Sequence, residues 1–318
     1  MTATRHPFVW MDGRLIPTEE AQVHVLTHTL HYGVGVFEGI RAYEQADGGS
    51  AVFRLDDHLQ RLFGSARICD LELPYDFDTV RQATIDLVTA NGAPSCYIRP
   101  LAFLDEGTMG IYPRDNRVRL AIMTWLWGAY LGEEGLTRGV RCRISSYVRP
   151  FPNSTMTRAK ISGNYVNSVL AKREVAGLGY DEAILLDTNG YVAECSGQNL
   201  FLVRRGIVKT PMGTSVLEGI TRDCVLRIAA DLGYETRESI VTRDELYVAD
   251  EVFMCGTAVE VTPVRDVDDR PIGDGRPGPI TRAIQECFFQ AVRGERPEYA
   301  EWLAPVPVEA HAARGAVR

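Results

Sequence analysis

Lysine is nearly missing from this chain of 318 residues, although basic residues in general are not. Only three of its 34 lysine and arginine residues are lysines: Lys160, Lys172 and Lys209. Arginine keeps its proton in proteins, whereas lysine can lose it and become a nucleophilic amine. A lysine retained against this bias is therefore a candidate for chemistry. The surroundings of Lys160 favour such a role, whereas Lys172 and Lys209 are expected to be solvated surface residues.

Other absences narrow the class of protein. Basic charge is not in excess, and the net charge of −8 argues against a nucleic-acid surface. The seven cysteines are odd in number and include no Cys-x-x-Cys pair, which predicts reduced thiols in a cytoplasmic protein rather than disulfides or zinc. No metal site is expected either, because His24, His28 and His31 are followed by no nearby carboxylate or cysteine.

Long apolar runs are missing as well. Residues 1–10 lack the apolar run of a signal peptide. The most apolar stretch, residues 120–131, is too short to span a bilayer and predicts a buried strand. Neither nucleic acid nor a membrane is therefore expected as a partner.

The chain is long enough for two domains, and its patterns predict an α+β fold. Residues 1–126 are predicted to form a smaller N-terminal domain of strands and amphipathic helices. The polar, glycine-containing residues 127–139 are predicted to be an interdomain linker loop. Residues 140–303 are predicted to form a larger C-terminal domain, and residues 304–318 a loosely packed extension.

Apolar periodicity locates the main elements. In the first domain it predicts helices over 56–68, with Asp56 as N-cap, and from 78, and strands over 95–104 and 118–125. In the second domain it predicts strands over 141–145, 182–187, 191–194, 200–203, 251–255 and 259–264, and helices over 220–232 and 280–292. Asn189-Gly190, between two of these strands, is typical of a β-hairpin.

The requirements of an aldehyde cofactor such as pyridoxal phosphate have candidates in this chain. The cofactor needs a lysine for a Schiff base, an acid opposite its pyridine nitrogen, a donor to its phenolic oxygen and a cup for its phosphate. Lys160 precedes a helical pattern, Tyr165 follows it by five residues, and Glu194 ends a predicted strand. Taken singly, each residue also fits an ordinary role, as a surface lysine, a core tyrosine or a strand-end glutamate.

The phosphate cup has the sharper signal. Residues 217–223 run from a loop into a helix, where Gly219 permits close backbone approach and Thr221 adds a hydroxyl. Gly256-Thr257, at the end of another predicted strand, could complete the cup, and Arg61 offers a fixed cation. The alternatives are a capped helix without a ligand and a surface arginine.

Together these segments resemble the branched-chain amino acid aminotransferases of fold type IV, a two-domain α+β fold like that of D-amino acid aminotransferase. The resemblance spans roughly residues 9–302. Its motifs stand in the expected order: His31-Tyr32-Gly33, Val36-Phe37-Glu38-Gly39-Ile40-Arg41, Tyr97-Ile98-Arg99-Pro100, Trp127-Gly128-Ala129-Tyr130, Arg158-Ala159-Lys160, Gly163-Asn164-Tyr165, Glu194 with Asn199-Leu200-Phe201, Gly219-Ile220-Thr221-Arg222 and Gly256-Thr257-Ala258. Val34-Gly35, where a small polar residue is common, and Ser162 depart from the pattern and concern only fine specificity.

The resemblance implies pyridoxal 5'-phosphate as the cofactor. Lys160 would be the Schiff-base lysine, Glu194 would contact the pyridine nitrogen, and Tyr165 would contact the phenolic oxygen. The other cofactor-binding residues would lie around the phosphate: Arg61, Leu217, Gly219, Ile220, Thr221 and Thr257.

The resemblance also implies a substrate site. Tyr97 and the backbone amides of Thr257 and Ala258 would hold the α-carboxylate. The remaining substrate-binding residues would be Tyr32, Phe37, Gly39, Arg99, Trp127 and Tyr130. This pocket would lie partly across a dimer interface and be closed by the Gly107–Ile111 loop of the neighbouring subunit, so a homodimer or an assembly of dimers is expected.

The implied reaction is transamination of leucine, isoleucine or valine with 2-oxoglutarate by a ping-pong mechanism, which gives branched 2-oxo acids and L-glutamate. An apolar pocket accepts the three amino acids by burial. A glutamate carboxylate there needs a partner, which Arg99 with the hydroxyls of Tyr32 and Tyr130 could supply. The alternatives are an (R)-amine or D-amino acid transaminase, a lyase acting on aminodeoxychorismate, and a protein that binds pyridoxal phosphate without turnover. Tyr97 with Arg99 argues against the first two, and the complete set of proton-transfer residues argues against the last.

Overall fold

The computed structural model describes residues 4–128 and 130–307 and arranges them in two compact units. The first unit contains the described residues up to Trp127 together with those from Gln290 onward, and the second runs from Gly128 to Phe289. The predicted larger domain extended to residue 303. The structure corrects this expectation, because the chain from Gln290 onward belongs to the first unit.

Both strands and helices occur throughout the described chain. The strands are β1 (Thr4–Arg5), β2 (Phe8–Met11), β3 (Arg14–Pro17), β4 (Gly35–Phe37), β5 (Ile40–Glu44), β6 (Ser50–Phe53), β7 (Cys96–Leu104), β8 (Val118–Leu126), β9 (Val140–Ile144), β10 (Glu182–Leu186), β11 (Val192–Cys195), β12 (Asn199–Arg204), β13 (Ile207–Pro211), β14 (Thr236–Ser239), β15 (Glu251–Gly256), β16 (Glu260–Val267), β17 (Arg270–Pro271) and β18 (Leu303–Val306). The helices are α1 (His28–Tyr32), α2 (Leu55–Ile68), α3 (Phe77–Asn91), α4 (Gly132–Arg138), α5 (Tyr165–Gly177), α6 (Ile220–Asp231), α7 (Arg243–Tyr247) and α8 (Pro279–Val292). Short 3-10 helices lie over Thr18–Glu20, Ser162–Asn164 and Pro297–Trp302.

One antiparallel sheet forms the framework of the first unit. Its strand order is β18-β6-β5-β7-β8-β2-β3, with β1 beside β8 and β4 beside β7. The longest pairing joins β7 to β8, from Tyr97 opposite Trp125 to Leu104 opposite Val118. Because successive side chains of a strand alternate between faces, Tyr97 and Arg99 project from the same face of β7.

Helix α2 packs one apolar stripe into this unit. Leu55, Leu59 and Leu62 recur at helical spacing and are fully buried. The predicted N-cap, Asp56, is wrong by two residues. Arg54 occupies the cap in a left-handed conformation, with φ at 50°, and Asp56 lies in the first turn, where its charge complements the helix dipole.

The end of the described chain adds an edge strand to the first sheet. β18 pairs antiparallel with β6, and Trp302 just before it stacks on Tyr299 with ring centroids 4.4 Å apart. The prediction of a loosely packed extension from residue 304 is therefore wrong for residues 304–306, while residues 308–318 lie outside the described residues. The strand escaped detection because it is short and contains proline, which sheets tolerate at an edge.

A mixed sheet forms the framework of the second unit. Its order is β11-β10-β9-β16-β15-β12-β13-β14, with β17 beside β16. The pairs β9–β10, β9–β16 and β13–β14 are parallel. The predicted hairpin at Asn189-Gly190 is confirmed, since β10 and β11 are antiparallel and Gly190 has a φ of 86°. This hairpin brings Glu194 opposite Leu185.

The predicted linker loop over 127–139 contains a helix. α4 covers Gly132–Arg138, so the expectation of a loop is corrected for these residues. The helix has Glu133 and Glu134 in its first turn and Arg138 in its last, which complements its dipole. Gly139, with φ at 80°, ends it. The glycines indicated a loop, but they mark the borders of a helix.

The two lysines expected at the surface are half-buried and paired. Lys172 Nζ lies 2.8 Å from the fully buried carboxylate of Glu182. Lys209 Nζ lies 2.5 Å from Glu245 Oε1. The expectation of solvated lysines is therefore wrong. At both positions the compact ammonium of lysine pairs with a carboxylate, and arginine is not an equivalent replacement there.

Candidate active site

Lys160 and Tyr165 meet at the start of α5. A 3-10 turn over Ser162–Asn164 separates the two residues, and Lys160 Nζ donates a hydrogen bond to Tyr165 Oη at 2.6 Å. The Nζ atom also lies 5.2 Å from the centre of the tyrosine ring. Both side chains are half-buried. The amine is thus held against a phenol in partial shelter from solvent, which suits a lysine that moves protons.

Glu194 is a buried carboxylate that is held at both oxygens. Its Oε1 lies 2.9 Å from Arg149 Nη2. Its Oε2 accepts hydrogen bonds from the backbone amide of Leu217 at 3.1 Å and from Asn199 Nδ2 at 3.2 Å. Burial of a carboxylate is costly unless the group is paired, and here a cation and two donors pair it. A carboxylate fixed in this way is suited to pair with a pyridinium nitrogen.

The N-terminus of α6 is shaped for close approach to its backbone. Gly219 is the N-cap, and within the described residues no side chain caps this end by a hydrogen bond. A Cβ atom at Gly219 would lie 1.8 Å from Asn199 Oδ1, so only glycine fits. Ile220 and Thr221 are buried in the first turn. Backbone amides at a helix N-terminus of this kind bind phosphate.

The turn between β15 and β16 contains Thr257 and Ala258, both half-buried. Asn199 lies opposite Cys255 in the β12–β15 pairing. This register places Gly256-Thr257 at the end of the sheet where Asn199 contacts Glu194. Within the second unit, the structure therefore joins the predicted Glu194, Leu217 and Gly219 to one another through Asn199.

In the first unit, aromatic rings surround Arg99. Its Cζ lies 4.6 Å from the ring centre of Phe37 and 5.4 Å from those of Tyr97 and Trp125. Its Nη2 donates to Tyr97 Oη at 3.4 Å. Its Nε is buried without a hydrogen-bond partner, and no carboxylate of the described residues pairs with this arginine. A guanidinium so enclosed is ready to receive an acid from outside the chain.

The ring of Tyr97 packs against two tryptophans, and its hydroxyl lies close to Gly39. Its ring lies 4.9 Å from that of Trp125 and 4.5 Å from that of Trp127. A Cβ atom at Gly39 would lie 1.9 Å from Tyr97 Oη. The structure thus brings together five predicted substrate residues of the first unit: Phe37, Gly39, Tyr97, Arg99 and Trp127.

The structure gives other contacts for Tyr32 and Tyr130. Tyr32 ends α1, is 44% exposed and stacks on His28, with ring centroids 4.5 Å apart. Tyr130 lies in the second unit, where Lys172 Nζ is 5.8 Å from its ring centre.

Arg61 is clamped by a buried acid. Its Nε lies 2.7 Å from Glu38 Oε1 and its Nη2 lies 2.9 Å from Glu38 Oε2. His58 Nδ1 is 2.8 Å from the same Oε2. Burial by itself raises the pKa of the Glu38 carboxyl, but the charge and hydrogen bonds of Arg61, with those of His58, hold that pKa well below its ordinary value. The clamp fixes the plane of the guanidinium predicted to contact phosphate.

Sequence reasoning missed Arg149, Glu38 and His58 and assigned no role to Asn199. Arg149 stands in a stretch without periodicity, and its partner lies 45 positions further on, so no local pattern identifies it. Asn199 and Glu38 both lie within motifs of the resemblance, and their burial next to a predicted site residue is the signal that reveals them.

The side chains present fit pyridoxal phosphate. The second unit supplies a sheltered amine, a phenol, a buried carboxylate already paired with a cation, and a glycine N-cap whose Cβ position is filled by Asn199. Among the described residues, no cluster of three or more metal-binding side chains occurs. No helix in the described part of the chain is long and apolar enough to cross a membrane.

Comparisons with known proteins agree with this chemistry. A family model described as amino-transferase class IV matches residues 35–267. The branched-chain-amino-acid aminotransferase of Pseudomonas aeruginosa is 48% identical over 300 residues, which cover 94% of this chain and 97% of that protein. A solved branched-chain amino acid aminotransferase from Escherichia coli matches with a TM-score of 0.93 and 44% identity, over 95% of this chain and all of that one. A solved T.th. branched-chain amino acid aminotransferase with pyridoxamine 5'-phosphate matches with the same TM-score and 50% identity, over 96% of this chain and all of that one.

The fold and the site therefore define the class. The chain belongs to the class IV aminotransferase family, whose model matches most of its length. The predicted α+β fold of type IV is confirmed by these structures and by the two sheets with their helices.

Proposed function

We propose that this protein is a pyridoxal-phosphate-dependent aminotransferase that transfers the amino group of leucine, isoleucine or valine to 2-oxoglutarate. The observation that supports this most directly is the 2.6 Å hydrogen bond from Lys160 Nζ to Tyr165 Oη, which holds an amine at the start of a helix beside a phenol. The branched-chain-amino-acid aminotransferases of Pseudomonas aeruginosa and Escherichia coli, 48% and 44% identical over nearly the full chain, support the substrate class.

When bound, pyridoxal phosphate supplies an aldehyde that accepts the amino group in one half-reaction and returns it in the other, and a ring that withdraws electrons from the substrate. Lys160 would be the residue that attaches to it. Glu194 would accept a hydrogen bond from its pyridine nitrogen, and Tyr165 would donate to its phenolic oxygen. The residues that would hold the phosphate are Leu217, Gly219, Ile220, Thr221, Thr257 and Arg61.

Lys160 performs the proton transfer. Once freed from the cofactor, the amine of Lys160 would remove the proton from the substrate α-carbon as general base and would return it to the cofactor carbon as general acid. Tyr165 orients the amine from 2.6 Å away. Arg149, whose Nη2 lies 2.9 Å from Glu194 Oε1, compensates the charge of this carboxylate.

One pocket accepts two kinds of side chain. Burial against Phe37 and Trp127 favours the branched apolar side chains of the first substrates. Glutamate and 2-oxoglutarate bring a carboxylate instead, and Arg99 receives it, because its buried Nε has no partner among the described residues. Tyr32 and Tyr130 add hydroxyls to this pairing. Tyr97, with the amides of Thr257 and Ala258, holds the α-carboxylate.

We infer that the protein acts as a homodimer or an assembly of dimers. Val25, Leu26, Leu30, Met109, Ile111 and Tyr112 form an exposed apolar patch on the first unit, called here the α1 patch, with Ile111 94% exposed. His28 Nε2, 2.7 Å from the carbonyl oxygen of Gly110, joins its two segments. Exposed patches of this kind mark protein interfaces. A second copy seated there would bring the Gly107–Ile111 loop of one subunit to the pocket of the other.

We place the protein in the cytoplasm. None of its seven cysteines, which all lie in the described residues, forms a disulfide, and six of them are buried. Thiols of this kind suit a reducing compartment.

A single-turnover absorbance titration of the purified holoenzyme tests the function. L-leucine, L-glutamate, D-alanine and (R)-1-phenylethylamine are added separately, without a 2-oxo acid. We expect L-leucine and L-glutamate each to abolish the long-wavelength band of the bound cofactor, because each can donate its amino group.

The other outcomes separate the alternatives. Conversion by D-alanine or the (R)-amine alone would keep the fold and the cofactor but contradict the substrate class, in favour of an (R)-amine or D-amino acid transaminase. A holoenzyme without any such band would contradict the role of Lys160.

A further inference from the structure

We propose that Arg149 and Asn199 are positioning residues that lock Glu194 and the loop before α6 into one rigid arrangement. They thereby fix the distance between the acid at the cofactor ring and the cup for the cofactor phosphate. This inference rests on the proposed function. It concerns two side chains that contact neither the substrate nor the cofactor in that function and act through Glu194 and the loop.

Arg149 links the acid to the loop. Its side chain is about 10% exposed, and its Nη2 lies 2.9 Å from Glu194 Oε1. Its Nε donates to the carbonyl oxygen of Ser215 at 3.1 Å. One rigid guanidinium plane therefore contacts both the carboxylate and the loop that leads to the helix. The backbone amide of Arg149 is fixed in turn by a 2.8 Å bond to Leu186, in the strand that pairs with β11.

Asn199 makes a second link between the same two parts. Its Nδ2 donates to Glu194 Oε2 at 3.2 Å and to the carbonyl oxygen of Leu217 at 3.0 Å. The amide of Leu217 donates back to Glu194 Oε2, so carboxylate, amide side chain and loop close a ring of hydrogen bonds. The Oδ1 atom of Asn199 faces Gly219 so closely that no side chain fits there.

Helix α5 holds the segment that carries Arg149. The carboxylate of Glu174 accepts hydrogen bonds from the hydroxyls of Ser145 and Ser146. Asn167 Nδ2 donates to the carbonyl oxygen of Val148 at 3.0 Å. The helix that begins at Tyr165, beside Lys160, is therefore tied to the segment that supports Glu194. One connected network joins the acid, the loop and the helix of the reactive lysine.

The network has a physical consequence for the reaction. A buried carboxylate that loses its cation either takes up a proton or moves toward water, and both changes remove the anion from the ring nitrogen. A loop that loses its two ties to the carboxylate no longer presents the α6 amides at a fixed distance from it. Preorganised supports of this kind determine whether a site has its productive geometry.

The test replaces Arg149 in the full-length chain. Binding of pyridoxal phosphate is measured by fluorescence titration of the cofactor-free protein, and kcat and KM are measured separately for L-leucine. We expect Arg149→Met to weaken cofactor affinity and to lower kcat, each by at least about tenfold, since it leaves a buried charge without its cation. The KM for L-leucine should change by less than about threefold, because the substrate pocket is intact.

Arg149→Lys separates the effect of the positive charge of Arg149 from the effect of its planar guanidinium. Lysine keeps the positive charge beside Glu194 but lacks the planar fork, whose Nη2 and Nε contact Glu194 and Ser215 separately. We therefore expect kcat to recover more than cofactor affinity does. If Arg149 only stabilised the fold, Arg149→Lys would not restore kcat and cofactor affinity to different extents.

Lys209→Met is the matched control. It removes the cation that pairs with a second carboxylate of the same unit, the half-buried Glu245. It should lower the melting temperature and leave cofactor affinity and kcat unchanged. If Arg149→Met behaves in the same way, Arg149 is a structural residue and the proposal is wrong.

Asn199→Ala keeps the proposal testable should Arg149→Met fail to fold. It removes the donor to Glu194 and to Leu217 but leaves the buried charge pair, and it should weaken cofactor affinity by at least about tenfold. Wild-type affinity and kcat in this variant would overturn the proposal. A wild-type chain that binds no pyridoxal phosphate would instead contradict the proposed function itself.

Discussion

At the scale of single residues, the chain keeps an amine at position 160 while it uses arginine for nearly every other basic position. The other two lysines form ion pairs with Glu182 and Glu245, whereas Lys160 donates a hydrogen bond to the hydroxyl of Tyr165. Of the three lysines, Lys160 is the one that lies beside a phenol at the start of a helix.

Replacement of Lys160 by alanine tests this difference. We expect Lys160→Ala to lower the rate of transamination of L-leucine by at least about a thousandfold, because both the attachment point and the proton carrier are lost. The measurement is the steady-state rate with 2-oxoglutarate. Lys209→Ala, the matched lysine control, should stay close to the wild-type rate. Full activity of Lys160→Ala would contradict the proposed role.

Gly39 is a second residue with a specific role, which depends on its lack of a Cβ atom. An added Cβ atom would lie 1.9 Å from Tyr97 Oη and 2.8 Å from its Cζ, so the ring has to move. We expect Gly39→Ala to displace Tyr97 and to raise the KM for L-leucine about tenfold, as overpacking of this kind costs about 1–3 kcal/mol. Steady-state kinetics measure the change.

Gly64→Ala is the control for that substitution. Gly64 lies in helix α2 of the same unit, and nothing lies within 4 Å of an added Cβ atom there. Alanine in an open helical position stabilises by about 0.5–1 kcal/mol and should leave the KM unchanged. An unchanged KM in Gly39→Ala as well would show that Tyr97 does not hold the substrate.

At the scale of elements, one buried carboxylate fastens β4 to α2. Glu38 follows the last residue of β4, and its partners His58 and Arg61 lie three residues apart on one face of α2. Glu38 is fully buried, so removal of its charge leaves the guanidinium of Arg61 without its partner. Loss of one member of a buried pair is strongly destabilising.

The stability of this connection should depend on pH in a defined direction. The pKa of Glu38 is lowered in the folded protein from its ordinary value of 4.5. The ionised carboxylate therefore stabilises the fold fully above pH 4.5, and this contribution is lost as the pH falls below 4.5 toward the folded-state pKa. We expect Glu38→Gln to lower the free energy of unfolding by about 3–5 kcal/mol at neutral pH. The difference from wild type should shrink below pH 4.5.

Urea denaturation at a series of pH values on both sides of 4.5 measures this difference. Glu134→Gln is the matched control, because Glu134 pairs with Arg138 in a bridge whose side chains are both 72% exposed. Exposed pairs contribute at most about 1 kcal/mol. A penalty for Glu38→Gln that stays constant across the pH range would show that shape, rather than charge, accounts for the effect.

Elements with a strong local signal were predictable, and those without one were not. The β10–β11 hairpin follows from Asn189-Gly190, and α6 and α8 follow from regular apolar spacing. Helix α4 and strand β18 were missed, since one is bordered by glycines and the other contains proline. Their formation depends on tertiary contacts, such as the pairing of β18 with β6, which local sequence does not encode.

The candidate site divides in the same way. Lysine, tyrosine, glutamate and the glycine before a helix each stand in a recognisable local pattern. The residues that support them, Arg149 and Glu38, are defined by partners that lie far along the chain or on another element. Spacing alone does not predict a contact between side chains 45 positions apart. These supporting residues are therefore identified only from the folded structure.

At the scale of the whole molecule, the α1 patch stands out because a single chain leaves its apolar side chains exposed. Scattered exposed apolar side chains are normal, but this patch joins six of them on two segments held together by His28 and the carbonyl of Gly110. In the proposed dimer, a second copy of the chain would bury this patch, and the Gly107–Ile111 loop of one subunit would approach the pocket of the other.

Leu30→Asp should therefore weaken self-association. Leu30 is 63% exposed in the centre of the patch, and a carboxylate there would be buried without a partner on association. We expect the wild-type protein to sediment as a dimer or a multiple of dimers, and Leu30→Asp to shift toward the monomer with a parallel loss of activity, as measured by sedimentation velocity and steady-state rates. Ile68→Asp, at a 45% exposed position outside the patch, should change neither property. A wild-type protein that is monomeric while fully active would show that the pocket needs no partner loop, and the patch would then require another explanation.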